Sequence, residues 1–478
     1  MAAHAKKESE RLKPSVARED SASRERPEAS SGTFRSVIQP TRDLLDLAWP
    51  IAAAMLGETA LGLVDTKLVG GLGAAALGGV GLGTTLMYLG YALVFGLMRG
   101  VKVCSAHAIG EGRPGDAIAY ARAGVALGFA IGLVELVICR DVSGVLEALG
   151  TDPAIVPFAR DFLAAVTLGA PAACALSALN QHRQAIRDSR TMMIVSVSGN
   201  AFNAVFAWAL IYGRLGLPAL GVRGGGYATA IVQGFELAAM LALLARLGAK
   251  SDVQPSIPLG RAMREIASIG GPTGVQFAAE MTAFTTFAMI LGGLGANEIA
   301  AHQIALNVMR VSFLPGVAIA EAASVLVGQS LGRRDLAGAD AVTKSALKLA
   351  VGFMAACGLV FAVGGGFLAR FFSRDGDVGA IARRLLLVAA VFQVLDAVNI
   401  VYRGALRGAK DVRAIMLLGI FVVWTCVPTA AWLLGRHAGL GALGGWIGFI
   451  AETTIGSLLF WRRWARGGWR ADYVTAQR

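Results

Sequence analysis

Eight carboxylates stand inside long apolar runs of this sequence: Glu58, Asp65, Glu135, Glu236, Glu280, Glu321, Asp396 and Glu452. An acid near the centre of a bilayer costs about 2.5–3.5 kcal/mol on insertion scales, so one kept there is read first as functional. Desolvation makes a carboxyl group hold a proton more firmly than it does in water, and such a group also attracts an organic cation or helps to coordinate sodium. Where an ion and a substrate compete for one set of acids, binding of either expels the other, which is the minimal chemistry of an antiporter. The plainer alternative is an acid paired with an interior arginine or hydrogen-bonded to a hydroxyl. Function is favoured for Glu280, Asp396 and Asp65. For Glu321 both readings stay open; Arg310 shares its helix face, eleven residues earlier and too distant to pair with it. Glu58 and Asp65 are seven residues apart and so lie within about 20° of one helical face.

The elements that must position these acids are membrane helices. The chain has 478 residues, 55% hydrophobic and 16% charged, with 61 glycines, against about 25% charged residues in soluble domains. A net charge of +12 would suit a nucleic-acid binder, but the basic residues fall between apolar runs instead of on one hydrated face. Stretches able to cross a hydrocarbon core of about 30 Å are predicted near 43–66, 74–98, 117–139, 155–179, 191–212, 220–245, 266–294, 298–326, 345–369, 385–406, 414–435 and 439–461. The expected fold class is all-α: a polytopic membrane protein whose twelve transmembrane helices form two parallel-repeat six-helix lobes around a central cavity. The five cysteines make no CxxC or Cys/His pattern and read as small buried hydrophobes. His107, His182, His302 and His437 read as packed or hydrogen-bonded.

The two lobes come from a repeat. Pro50 and Pro272 each sit early in a span, Gly70-Gly71-Leu72-Gly73 recurs as Gly292-Gly293-Leu294-Gly295, and Ile109-Gly110 recurs as Leu331-Gly332, all 222 residues apart. Further on, Arg187-Asp188-Ser189-Arg190 matches Lys410-Asp411-Val412-Arg413 at 223. Six spans per copy make the copies parallel, related by an axis along the membrane normal. Glu58 plus the offset is Glu280, whereas the position equivalent to Asp396 is Ala173.

Of the 44 Lys and Arg, 33 fall on the side of the chain termini and ten on the other, which predicts cytoplasmic termini. The expected organisation is a disordered tail over 1–40, without a signal peptide's apolar stretch, a first lobe over 41–248, a linker over 249–264, a second lobe over 265–462 and a tail over 463–478. Glycine clusters such as 224–226 lack the strand and GK[ST] ending of a phosphate loop and read as close helix contacts.

Four segments together resemble the multidrug and toxic compound extrusion (MATE) family, in its NorM-type bacterial branch. They are Gly62 to Gly73 around Asp65, Glu280 through Glu298 to His302, Gln303 and Asn307, Leu326 to Gly332, and Phe392 through Asp396 to Asp411. The resemblance covers everything after the first tail. It implies two lobes around a V-shaped cavity and export of organic, often cationic, compounds in exchange for Na+ or H+. By position, Asp65, Glu280 and Asp396 match the branch's cation-coupling acids, and Glu58 joins them as the acid one repeat before Glu280. Gln303, Asn203, Asn307, Phe392 and Glu321 are assigned to the substrate path. Phe392 stands where a tyrosine is common, Ala207 replaces a polar residue, and Glu58 and Glu321 are added acids, all of which favours H+ over Na+ held at Glu280 and Asp396. No cofactor is implied beyond that ion. The expected partners are small organic substrates and the inner-membrane bilayer, with no nucleic acid and a monomeric state. The alternative, a lipid-linked oligosaccharide flippase, would line its cavity with Arg and Lys for pyrophosphate. An intramembrane enzyme would need a catalytic cluster that is absent.

Overall fold

The computed structural model describes residues 39–139, 143–148, 150–250, 255–373, 375–470 and 473. The tail expected over 1–40 lies, but for its last two residues, outside the described residues. Twelve helices are long and apolar enough to span a membrane: α1 (Pro40–Gly70), α2 (Ala74–Gly110), α3 (Pro114–Ile138), α4 (Val156–Ala185), α5 (Ser189–Tyr212), α6 (Val222–Gly248), α7 (Leu259–Gly292), α8 (Ala296–Gly332), α9 (Leu336–Phe372), α10 (Gly376–Gly408), α11 (Val412–His437) and α12 (Gly441–Arg466). Every predicted span is present, and the gap predicted over 295–297 is a short turn ending at Gly295, which takes φ 138° between α7 and α8. α7 starts inside the stretch expected as linker, because the extended backbone of Pro258 opens the helix at Leu259.

In the first half α1 packs on α5, α5 on α6, α6 on α4, and α4 on α2 and α3; the second half repeats these neighbours with every label raised by six. The turns repeat as well. Left-handed backbone occurs at Gly73 and Gly295, Gly112 and Arg334, Arg187 and Lys410, and Gly216 and Gly439, pairs spaced by 222, 222, 223 and 223. Pro50 and Pro272 sit inside α1 and α7, and α11 passes into a π turn over Ala431–His437 after Pro428. Such breaks survive in membrane helices because neighbouring helices satisfy the freed backbone groups.

The halves meet along α2–α7, α1–α8 and α2–α8. The α2–α7 seam is built on glycine: a Cβ at Gly96 would lie 2.4 Å from the Gly274 Cα, and one at Gly270 1.9 Å from the Leu97 carbonyl oxygen. The pseudosymmetric α1–α8 seam carries alanine at the equivalent positions Ala48, Ala52, Ala318 and Ala322. Small residues let backbones approach where lipid supplies no hydrophobic drive between helices. Contact is concentrated at the terminal end of the bundle, where α1 begins and α12 ends. α2 is buried without interruption from Met98 to Ala108 and α8 from Ala318 to Gly332, whereas Glu58, Tyr88, Gln303, Asn307 and Arg310, nearer the other end, are exposed. The space between the halves is therefore sealed at the terminal end.

Candidate functional site

At 37 residues each, α2 and α8 are about 55 Å long, well beyond the hydrocarbon core. Their C-terminal turns form the seal, and there the structure gathers a buried charge network. Glu321 on α8 accepts from Arg99 and Lys102 on α2 and lies 3.6 Å from Arg407 on α10. The four side chains are 0–6% exposed. Arg99 and Glu321 are 222 residues apart, the repeat offset, so they are equivalent positions facing each other on the pseudo-two-fold axis. Around them the halves exchange matching contacts. His107 Nε2 is 2.8 Å from the Gly408 carbonyl oxygen, and Gln329, its repeat equivalent, donates to the Ala185 carbonyl at 2.8 Å. Gln329 also accepts from Arg187 at 2.8 Å.

The sequence reading puts Arg99, Lys102 and Arg407 past the ends of the predicted spans, among the terminal-side charges, and Arg403 inside the 385–406 span. The structure carries the helices past them: all four lie within helices, Arg99, Lys102 and Arg407 buried and Arg403 largely so. Without them the terminal side still carries 29 Lys and Arg against ten. Two signals could have found three of them. Glu321 minus the offset is Arg99, and Asp396, Arg403 and Arg407 are spaced i, i+7, i+11, one stripe of a helix.

The network continues along that stripe into the second half. Glu280 on α7 accepts from Arg403 and from Gln276 at 2.9 Å. Arg403 interacts electrostatically with Glu280, Glu452 on α12 and Asp396. Asp396 is 6% exposed, and its Oδ2 has no hydrogen-bond partner among the described residues. Glu452 accepts from Asn399 at 3.5 Å. Four cations are thus set against four carboxylates. Among the described residues no group of three or more His, Cys, Asp or Glu is arranged to hold a metal.

Glu58 and Asp65 are apart from this network, on the first half's wall of the open space. Glu58 is exposed and Asp65 half-buried. Tyr88 on α2 interacts with both acids and with Arg310 of α8, so Arg310 faces the same space across the halves. Gln303 and Asn307 share that exposed α8 face, at i, i+4 and i+7 with Arg310. Glu236 lies within electrostatic range of Glu58. Asn203 is buried and donates to Thr229 at 3.3 Å.

Two residues assigned to the substrate path are buried away from the open space in this structure. Phe392 is in the aromatic core of the second half, 5.9 Å from Phe449, because its side of α10 packs on α12. Glu321 is in the seal and not on an open wall, since its partners come from the opposite half. His302 is packed as expected, accepting from Trp446 at 3.1 Å.

Comparison with known proteins places this architecture. The MatE family model matches residues 50–209 and again 272–432, two copies whose starts are 222 residues apart. The chain belongs to the MatE family. It is 33% identical over 445 residues to a probable multidrug resistance protein NorM of Burkholderia pseudomallei, covering 90% of this chain and 94% of that one. It is 28% identical to the multidrug resistance protein MdtK of Yersinia enterocolitica over 437 residues, 89% and 95% of the two chains. Its fold is shared with a multidrug resistance MATE family transporter of the MOP superfamily solved in an outward-facing conformation, at TM-score 0.82, 21% identity and 90% and 96% coverage. It is shared too with a MOP superfamily transporter from Pyrococcus furiosus, at TM-score 0.81, 20% identity and 92% and 97% coverage, whose binding pocket is described as reversed in polarity. Like other MatE members the chain is a multi-pass membrane protein.

Proposed function

We propose that this MatE protein is a secondary active multidrug exporter of the inner membrane, with cytoplasmic termini, that expels small organic, often cationic, compounds by cation antiport. The observation that carries the reading is the buried acid pair Glu280 and Asp396, set in a membrane-spanning bundle with one carboxylate oxygen unpartnered. A proton arriving at Asp396 or Glu280 removes a negative charge from the surroundings of Arg403. The arginine then loses part of its counter-charge and the balance of the four-cation network shifts. Because that network reaches Glu321 in the seal, neutralising the acids biases the halves toward a different arrangement, which is the differential interaction alternating access requires. Glu58 and Asp65 extend the acidic wall along which a cationic compound would pass to the open end. Proton coupling is favoured over sodium because Phe392 offers no oxygen and Glu280 is engaged by Arg403 and Gln276. The flippase alternative has no specific observation in its favour, since the buried cations are matched by acids.

The test is ethidium export by the full chain in proteoliposomes with sodium and pH gradients imposed separately. Export is expected under the pH gradient alone, and Glu280→Gln and Asp396→Asn are expected to abolish it while the protein remains in the membrane. Normal ethidium export by both variants would overturn the assignment of these acids, and drive by sodium alone would overturn proton coupling.

A further inference from the structure

Arg99 and Lys102 borrow their counter-charge from the other half. Among the described residues the only carboxylate that either touches is Glu321. Within its own half Lys102 has, among the described residues, only the Gln184 Oε1 at 3.5 Å. Arg99 Nε has no hydrogen-bond partner among the described residues, and the guanidinium carbon lies 4.8 Å from the Phe95 ring centroid and 4.4 Å from that of Phe277. Arg407, by contrast, shares its half with Glu321. When the halves part at the terminal end, Glu321 and Arg407 leave together, and two neighbouring cations on one face of α2 lose their carboxylate. A buried cation without an acid is strongly disfavoured, so once the halves part this pair is left available to an anionic group that enters the opened space.

We propose that Arg99 and Lys102 form a receptor for the acid group of a transported compound in the state open at the terminal end, and that Glu321 is the built-in competitor that displaces this group as the halves close. The inference rests on the alternating-access reading above. A guanidinium engages a carboxylate, sulfonate or phosphate through a planar fork of N–H donors, Lys102 adds a point charge beside it, and the Phe95 ring supplies an aromatic face. The ligand class is therefore an aromatic compound bearing one acid group, alongside the cationic compounds favoured by the acidic wall. Glu321 and the ligand's acid group cannot occupy the two cations at once. Sealing of the terminal end and release of the acid group are then a single event, which gives direction to its transport.

Rhodamine 110 and rhodamine 123 test this, because they share a cationic ring system and differ in a free carboxylate against a methyl ester. Export of both is measured with the full chain in proteoliposomes under whichever gradient drives ethidium. Arg99→Gln and Lys102→Met are expected to lower the ratio of kcat/KM for rhodamine 110 to that for rhodamine 123 by tenfold or more, with Arg99→Lys recovering most of the ratio. Glu321→Gln is expected to lower the KM for rhodamine 110 at least threefold and to slow its turnover, because the competitor is gone but the seal is weakened. An unchanged ratio in both cation variants, or an unchanged or raised KM in Glu321→Gln, would overturn the proposal. Should Arg99→Gln not reach the membrane, the comparison of Arg99→Lys with Lys102→Met and Glu321→Gln decides it. If the native chain exports rhodamine 123 but not rhodamine 110, this proposal alone fails; if it exports neither dye nor ethidium, the exporter reading fails with it.

Discussion

A single methyl group at Gly270 tests whether the α2–α7 seam closes the terminal end. Its Cβ would fall 1.9 Å from the Leu97 carbonyl oxygen, where carbon and oxygen settle at roughly 3.3 Å. The two backbones must then part by roughly 1.4 Å, since the obstacle is main chain and cannot rotate away. Overpacking of this kind costs about 1–3 kcal/mol, equivalent to a shift of about 5- to 150-fold away from the sealed state. Gly271 is the control, because nothing lies within 4 Å of a Cβ placed there and both substitutions gain the same helix propensity, about 1 kcal/mol. Gly270→Ala is expected to slow ethidium export in proteoliposomes by about fivefold or more and to raise hydrogen exchange over 98–108 and 318–332. Gly271→Ala should leave both measurements within about twofold of the native chain. Equal behaviour of the two variants, or native exchange rates in Gly270→Ala, would refute the reasoning.

The paired contacts His107 to Gly408 and Gln329 to Ala185 make a second prediction: His107→Ala and Gln329→Ala should each raise exchange at the ends of α2 and α8, and Gln329→Ala more, because it also releases Arg187. Identical exchange in the two variants and the native chain would show that these contacts do not hold the halves together. In the second half's aromatic core, His302→Leu leaves the buried Trp446 N–H without its acceptor and should lower stability by about 1–3 kcal/mol, read as a thermal shift in detergent. His302→Gln, which keeps an acceptor, should lose less.

Much of this architecture was legible before any coordinates. The twelve spans and the duplication follow from local properties: apolar length matched to the bilayer, and glycines and prolines recurring at one offset because both copies must make the same turns. The presence of acids in apolar surroundings was equally plain, since each residue's hydropathic neighbourhood is its own chain segment. Arg99 shows where this kind of reading stops. It lies past the length of α2 needed to cross the hydrocarbon, so it looked like a loop charge, yet protein buries it where water or lipid headgroups were expected. A stretch of sequence cannot distinguish those environments, because the burying surface is contributed by α7 and α8, more than 150 residues away.

The sequence by itself determined which helices form, that they come in two equivalent sets, and which acids are costly enough to require a reason. Only the tertiary structure decided what each acid meets. Glu280 and Asp396 share the surroundings of Arg403, Glu58 and Asp65 face the open space, and Glu321 crosses to Arg99 and Lys102. Helix formation in a membrane is governed by hydrogen bonds within each segment, which the local sequence specifies. The pairing of buried charges depends on how two separately formed halves dock about their shared axis, and that is settled by small-residue seams and opposite charges at equivalent positions only when both surfaces are present.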